Sequence, residues 1–193
     1  MQPALINALI VVGIVVVVAV IVGAVLWSAR KSLAGRAHRV DESWQRIEAQ
    51  LRRRAELVPR IVEAVEGYAG HEKAAFQQVV VARDETVAAR TPAEASAAEA
   101  HMQTSLKAVF AVADSFPQLQ ASQSFLALQT ELVDSEDALQ GARRSYNGGV
   151  REFNTKRRSF PGSVYARKSQ FAERDFFEVS EPSSIAEPPR VQF

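Results

Sequence analysis

The sequence predicts an all-α protein: a single N-terminal transmembrane helix followed by an antiparallel bundle of three to four long helices. Three observations lead there. The first 29 residues carry no charge, and all 23 Lys and Arg and all 22 Asp and Glu lie beyond them. Past that boundary, apolar residues recur at alternating steps of three and four, the spacing of one helix face. No strand-like alternation runs for any length.

The uncharged block contains Leu5–Trp27, nearly all Val, Ile, Leu, Ala and Gly. At a rise of 1.5 Å per residue it makes a helix of roughly 35 Å, enough to cross a hydrocarbon core of about 30 Å. A cleaved signal peptide would need a basic leading stretch and a shorter apolar run. Met1–Ala4 supplies no Lys or Arg, so a retained single-pass anchor over residues 1–29 is expected. Trp27 stands at the downstream end, where an indole sits among headgroups, and Arg30 and Lys31 follow at once; these three are the expected membrane-interface residues. Arg36 and Arg39 extend the positive flank, which places the N-terminus outside and the remainder in the cytoplasm.

Residues 30–160 read as the helical bundle. From Val40 the seam runs through Trp44, Ile47, Leu51, Ala55, Val58, Val62, Val65 and Ala69, then Phe76 and Val79. Glu72 falls between Ala69 and Phe76, and the seam has one extra four-residue step, a stutter in a coiled-coil-like pattern. The phase continues across Pro59, which implies a kink or a tight rejoining there, or a break that yields the fourth helix. Thr91-Pro92 opens the next helix, with Thr as cap and Pro in the first turn. Its face is Met102, Leu106, Val109, Phe110 and Ala113, and Phe116-Pro117 ends it. The last long helix carries Phe125, Leu128, Leu132, Leu139, Ala142, Tyr146, Val150 and Phe153, with Gly148 and Gly149 inside it marking close helix contact or a bend. Residues 161–193 read as an irregular C-terminal tail bearing Phe171, Phe176 and Phe177.

Polar residues intrude on the apolar lines. Glu72 falls on the seam, Glu136 and Arg143 fall on the line through Leu132, Leu139 and Tyr146, and Asn147 and Asn154 extend it. A buried charge is costly unless it is paired. Glu136 and Arg143 are therefore expected beside the core with partners on the first helix, Arg53 or Arg54 for Glu136; the alternative is that they flank the seam in solvent. Glu56 joins this candidate polar network. Arg52, Arg53 and Arg54 are spread about 100° apart around a helix and cannot form one patch.

Signals for chemistry are weak. There is no cysteine, which excludes disulfides, thiolate metal sites and a cysteine nucleophile. His71-Glu72 does not continue to a second histidine four residues on, and no two of the three histidines share a ligand spacing. No glycine-rich phosphate loop or nucleophile elbow is present. A net charge of +1 argues against nucleic acid as partner. No catalytic, metal or cofactor residues are expected, and no cofactor.

The stretch Trp44–Glu72, W-Q-R-I-E-A-Q-L-R-R-R-A-E-L-V-P-R-I-V-E-A-V-E-G-Y-A-G-H-E, closely resembles the signature of LemA family proteins. Phe116-Pro117-x-Leu119, Phe125-x-x-Leu128-Gln129, Arg143-x-x-Tyr146-Asn147, Val150-x-x-Phe153-Asn154, Phe160-Pro161, Phe176-Phe177 and Val191-Gln192-Phe193 extend the likeness in order. The resemblance implies a small bacterial inner-membrane protein with one N-terminal helix, a short external N-terminus and a helical body, and it supplies no defined reaction. By motif position, Arg53, Arg54, Pro59, Tyr68, His71, Glu72, Tyr146, Asn147 and Asn154 carry over as the shared polar and aromatic set. The chain departs at Arg60, where the family usually has Asn, and in the charged stretch Gly162–Arg174.

The function expected is a non-enzymatic, membrane-anchored scaffold or adaptor for protein partners, held in the bilayer through residues 5–27, with homo-oligomerisation left open. The alternative is an accessory subunit that adjusts a membrane protease or envelope-remodelling enzyme. Phe171–Phe177 and Val191–Phe193 are either docking elements or aromatics that fold back onto the bundle.

Overall fold

A computed structural model describes residues 2–70, 72–166 and 171–178. Among them the chain is helical and contains no strand. The elements are α1 (Gln2–Ala69), α2 (Lys73–Ala88), α3 (Pro92–Ala113), the short α4 (Pro117–Gln120), α5 (Gln123–Arg158) and a 3-10 turn, Gly162–Tyr165. The expected all-α fold is therefore the observed one. The contacts divide the chain into two compact units, one of residues 1–42 and 148–174, the other of residues 43–147 and 175–193.

In the larger unit, Pro59 does not divide the helix: α1 runs through it. An interior proline costs about 3 kcal/mol through its lost amide and ring clash. Leu57, Val58 and Ile61 around it are 4%, 1% and 1% exposed, and burying each such side chain contributes about 1.5–3 kcal/mol. Packing outweighs the proline. The break comes at Gly70–Glu72 instead, which corrects the expectation that Glu72 sits on the seam. α1 ends at Ala69, the Glu72 amide donates to the Ala69 carbonyl (3.0 Å), and the Glu72 side chain is exposed. A carboxylate continuing the seam would be buried without a partner, whereas the end of α1 before it leaves the charge in water.

α2 then starts a new line, with Phe76, Val79, Ala82 and Thr86 buried. α3 opens as its sequence predicts. The Thr91 side chain accepts from the Glu94 amide, the Glu94 carboxylate accepts from the Thr91 amide, and Pro92 occupies the first turn. The amides of Arg90 and Thr91 hold the Glu94 carboxyl below its usual range. The core joins Val58, Ile61 and Val65 of α1, Phe76 and Val79 of α2, Met102, Leu106 and Val109 of α3, Leu119 of α4 and Phe125 of α5. Phe125 sits at a ring-centroid distance of 6.0 Å from Phe110.

The smaller unit contains the N-terminal part of α1, the end of α5 and the turn after it. From Leu9 to Val25 the large apolar side chains of α1 are 46–72% exposed. Among the described residues α1 is the one helix long and apolar enough to cross a membrane. Beyond Trp27 the helix acquires an inward stripe, Ala29, Leu33, Ala37 and Val40, buried together with Val150, Phe153 and Phe171. A Cβ on Gly149 would come within 3.4 Å of Val40 Cγ2, whereas one on Gly148 would meet nothing, so close helix approach concerns Gly149 alone. Gly162 is buried, and a Cβ there would strike the Lys156 carbonyl; only glycine lets the chain double back so tightly against the end of α5.

Candidate functional site

The larger unit buries a charge cluster. Arg54 follows Leu51 by three residues and precedes Val58 by four, so it points inward and is 5% exposed. Its Nη1 donates to Glu99 Oε1 on α3 and to Glu136 Oε2 on α5. Glu136 Oε1 in turn accepts from Gln140 Nε2 at 2.6 Å. Glu99 is fully buried, while the Glu136 side chain is 30% exposed. Burial pushes the Glu99 carboxyl up to about 7, Arg54 opposes the rise, Glu136 adds to it, and Gln103 and Arg143 lower it. Arg54 Nε and Glu99 Oε2 form no hydrogen bond.

The expected pairing of Glu136 with the first helix is thus present through Arg54. Arg53 and Glu56 are exposed, because a rotation of 100° per residue turns both away from the face that holds Arg54. Arg143 is half-buried, and its charge acts on Glu99 of α3, not on a partner in α1. Glu99 escaped the sequence analysis. Its signal is the spacing, four residues after Ala95 and three before Met102, both buried with it, within an Ala/Glu-rich helix start whose face carries no large apolar residue before Met102.

A carboxyl raised in the folded state binds its proton more tightly there than in the unfolded chain. Its contribution to stability is full below the unfolded value, near 4.5, and is lost as pH rises through about 7. Glu99→Gln should therefore flatten the stability profile of the chain between those limits. Urea midpoints measured across that range test this; an unchanged slope would reject Glu99 as its source.

At the other end of the larger unit, Trp44 forms a seat for the chain after α5. Its ring lies 5.4 Å from Tyr146 and 6.1 Å from Phe177, the latter edge-on, and its Nε1 donates to Glu48 Oε1 at 3.0 Å. Tyr146 Oη donates to the Asp175 carbonyl at 2.7 Å. Asn147 bridges Phe177 in both directions: Nδ2 donates to its carbonyl and Oδ1 accepts from its amide, each at 3.0 Å. The Glu178 amide donates to Ser96 Oγ at 3.1 Å.

The smaller unit repeats the device. Asn154 Nδ2 donates to the Arg174 carbonyl at 2.8 Å and its Oδ1 accepts from the Arg174 amide at 3.1 Å. Arg157 Nε donates to the Phe171 carbonyl (2.7 Å) and Nη2 to the Ala166 carbonyl (3.1 Å). Arg174 pairs with Asp41 at 2.9 Å. Phe171 and Phe177 are thus buried aromatics that fold back, while Val191–Phe193 lie outside the described residues. Near the uncharged stretch, Trp27 is 68% exposed with Lys31 Nζ 5.9 Å from its ring. Trp27, Arg30, Lys31, His38 and Phe171 line a groove of about 380 Å³.

The structure therefore gathers Arg54 with Glu136, and gives Tyr146, Asn147 and Asn154 one kind of task, gripping backbone. Tyr68 is 47% exposed and Glu72 is exposed, apart from these contacts; His71 lies outside the described residues. Among the described residues no group of three or more His, Asp or Glu is placed to hold a metal ion. Glu99, whose carboxyl burial pushes up to about 7, is sealed from solvent.

No curated protein is similar to the chain at a significant level. The sequence model of the LemA family matches residues 43–193, a span that takes in the charge cluster, the Trp44 seat and both asparagine bridges. The chain is a member of the LemA family.

Proposed function

We propose that this protein is a membrane-tethered, non-enzymatic adaptor that presents its helical body to protein partners at the bacterial inner membrane. One observation supports the reading most: a single helix, α1, carries both the exposed apolar stretch Leu9–Val25 and the buried residues Leu33, Val40, Ile47 and Val58. A stretch of that length and apolarity is stable in lipid and costly in water. The cations Arg30, Lys31, Arg36 and Arg39 directly beyond it favour an external N-terminus and a cytoplasmic body. For partners, α2 offers Val80 and Val87, one heptad apart and 42% and 49% exposed, with Val81 at 50% beside them.

Photo-crosslinking side chains placed at Val80 and at Val87 in living cells test the adaptor role. Discrete protein adducts at both positions, lost when the other is changed to glutamate, are expected. Adducts no different from those at exposed Arg52 would reject this face as a partner surface. Tags at the two ends, read by protease protection in sealed inverted vesicles, check the orientation; a protected C-terminal tag would overturn it.

A further inference from the structure

We propose that the turn Phe160–Tyr165 is a second membrane contact, seating Phe160 and Val164 in the headgroup region of the same leaflet from which α1 emerges. The proposal rests on the reading of α1 as a membrane anchor. It is carried by a hydrogen bond that reaches the anchor itself: Tyr165 Oη donates to the carbonyl of Leu26, at 3.2 Å. Leu26 belongs to the uncharged stretch and precedes the interfacial Trp27, so the turn is held at the depth where the anchor leaves lipid.

Contacts within this unit act as a ruler. Gly149 lies against Val40, Arg36 pairs with Glu152 at 2.6 Å, and Tyr165 meets Leu26. As α5 and its turn advance, they descend α1 toward the membrane. The level of Arg36 is about 15 Å above that of Leu26 at 1.5 Å per residue; the last turns of α5 after Glu152 cover about 9 Å of that descent, and the turn covers the rest. Within the turn, Phe160 is 77% exposed and Val164 54%. A large aromatic so exposed in an aqueous loop is unfavourable, whereas aromatic and aliphatic side chains at headgroup depth are stabilised. The local chemistry agrees. Buried Gly162 lets the chain reverse against the Lys156 carbonyl, Tyr165 is braced edge-on against Phe171 at 6.4 Å, and Lys156 near the end of α5 adds a cation beside the turn, of the charge that anionic headgroups attract, while Arg157 and Arg158 pair with Glu173.

The absence of cysteine makes the test clean. In the full chain reconstituted into vesicles of phosphatidylethanolamine and phosphatidylglycerol, single nitroxide labels are attached to Phe160→Cys, Val164→Cys, Trp27→Cys and Arg151→Cys. Collision rates with oxygen, which partitions into lipid, and with a water-soluble nickel chelate are then compared. The expected result is an oxygen-to-nickel ratio at 160 and 164 several-fold above that at 151 and close to that at 27. Ratios at 160 and 164 equal to that at 151, with 27 still lipid-like, would overturn the second contact alone. A water-like ratio at 27 as well would overturn the anchor reading and this proposal together. Phe160 and Val164 are exposed, so labelling either leaves the packing of the unit intact.

Discussion

Arg54→Met should destabilise the chain by about 3–5 kcal/mol at pH 8, the cost of leaving a buried carboxylate without its partner. Arg54 is the cation that both Glu99 and Glu136 contact, and Glu99 has no solvent to turn to. The loss should shrink as pH falls, because a protonated Glu99 no longer needs a counter-charge. With Arg54 gone the carboxyl rises further above its present value of about 7, so the relief should already be visible at neutral pH. Urea unfolding of the detergent-solubilised chain at pH 5 and pH 8, followed by circular dichroism, measures both effects. A loss of equal size at the two pH values would mean that Arg54 matters for packing alone. Replacing Arg54, Glu99 and Glu136 together by Met, Leu and Leu should recover most of the stability, since an apolar cluster of similar volume avoids the desolvation penalty altogether.

Phe177→Ala should release the chain after α5 from the Trp44 seat. Phe177 is fully buried, and truncating such a phenylalanine costs about 3–5 kcal/mol. The segment is held locally, by the aromatic edge contact with Trp44, the two-way bridge from Asn147 and the bonds of Asp175 to Tyr146 and of Glu178 to Ser96, so the cost should appear as local opening before the helices unfold. The amides of Phe177 and Glu178, bonded to Asn147 and Ser96, should exchange about 10² to 4 × 10³-fold faster, the rate equivalent of that energy at about 1.4 kcal/mol per tenfold. Hydrogen exchange read by mass spectrometry checks this. Unchanged protection at Phe177 would show that Asn147 and Tyr146 hold the segment without the ring.

The two predictions concern residues of unequal visibility. Asn147 and Asn154 extend the α5 line with polar groups, and a polar group on a buried face must find a partner; Tyr146 lies on the line itself and joins them through the motif it shares with the LemA family. Their partner is backbone, the carbonyl and amide groups of residues 174–177, and backbone leaves no trace in side-chain periodicity. Glu136 stood out for the same reason. Glu99 did not, because alanines surround it and an Ala/Glu-rich helix start resembles a solvated one.

The sequence alone determined where charge begins, that α1 starts as an apolar rod, that helices follow at three-four spacing, and that Thr91-Pro92 caps α3. These are consequences of local composition and period, which need no knowledge of neighbours. Only the tertiary structure decided that α1 survives Pro59 and runs to Ala69, since that depends on the packing of Leu57, Val58 and Ile61 against other helices. It also decided which arginine of the Arg52–Arg54 run turns inward, that Glu99 completes the pair, and that Tyr165 meets Leu26. Each of these is a contact between residues distant in sequence, and the free energy that selects it comes from burial and pairing that the local chain does not encode.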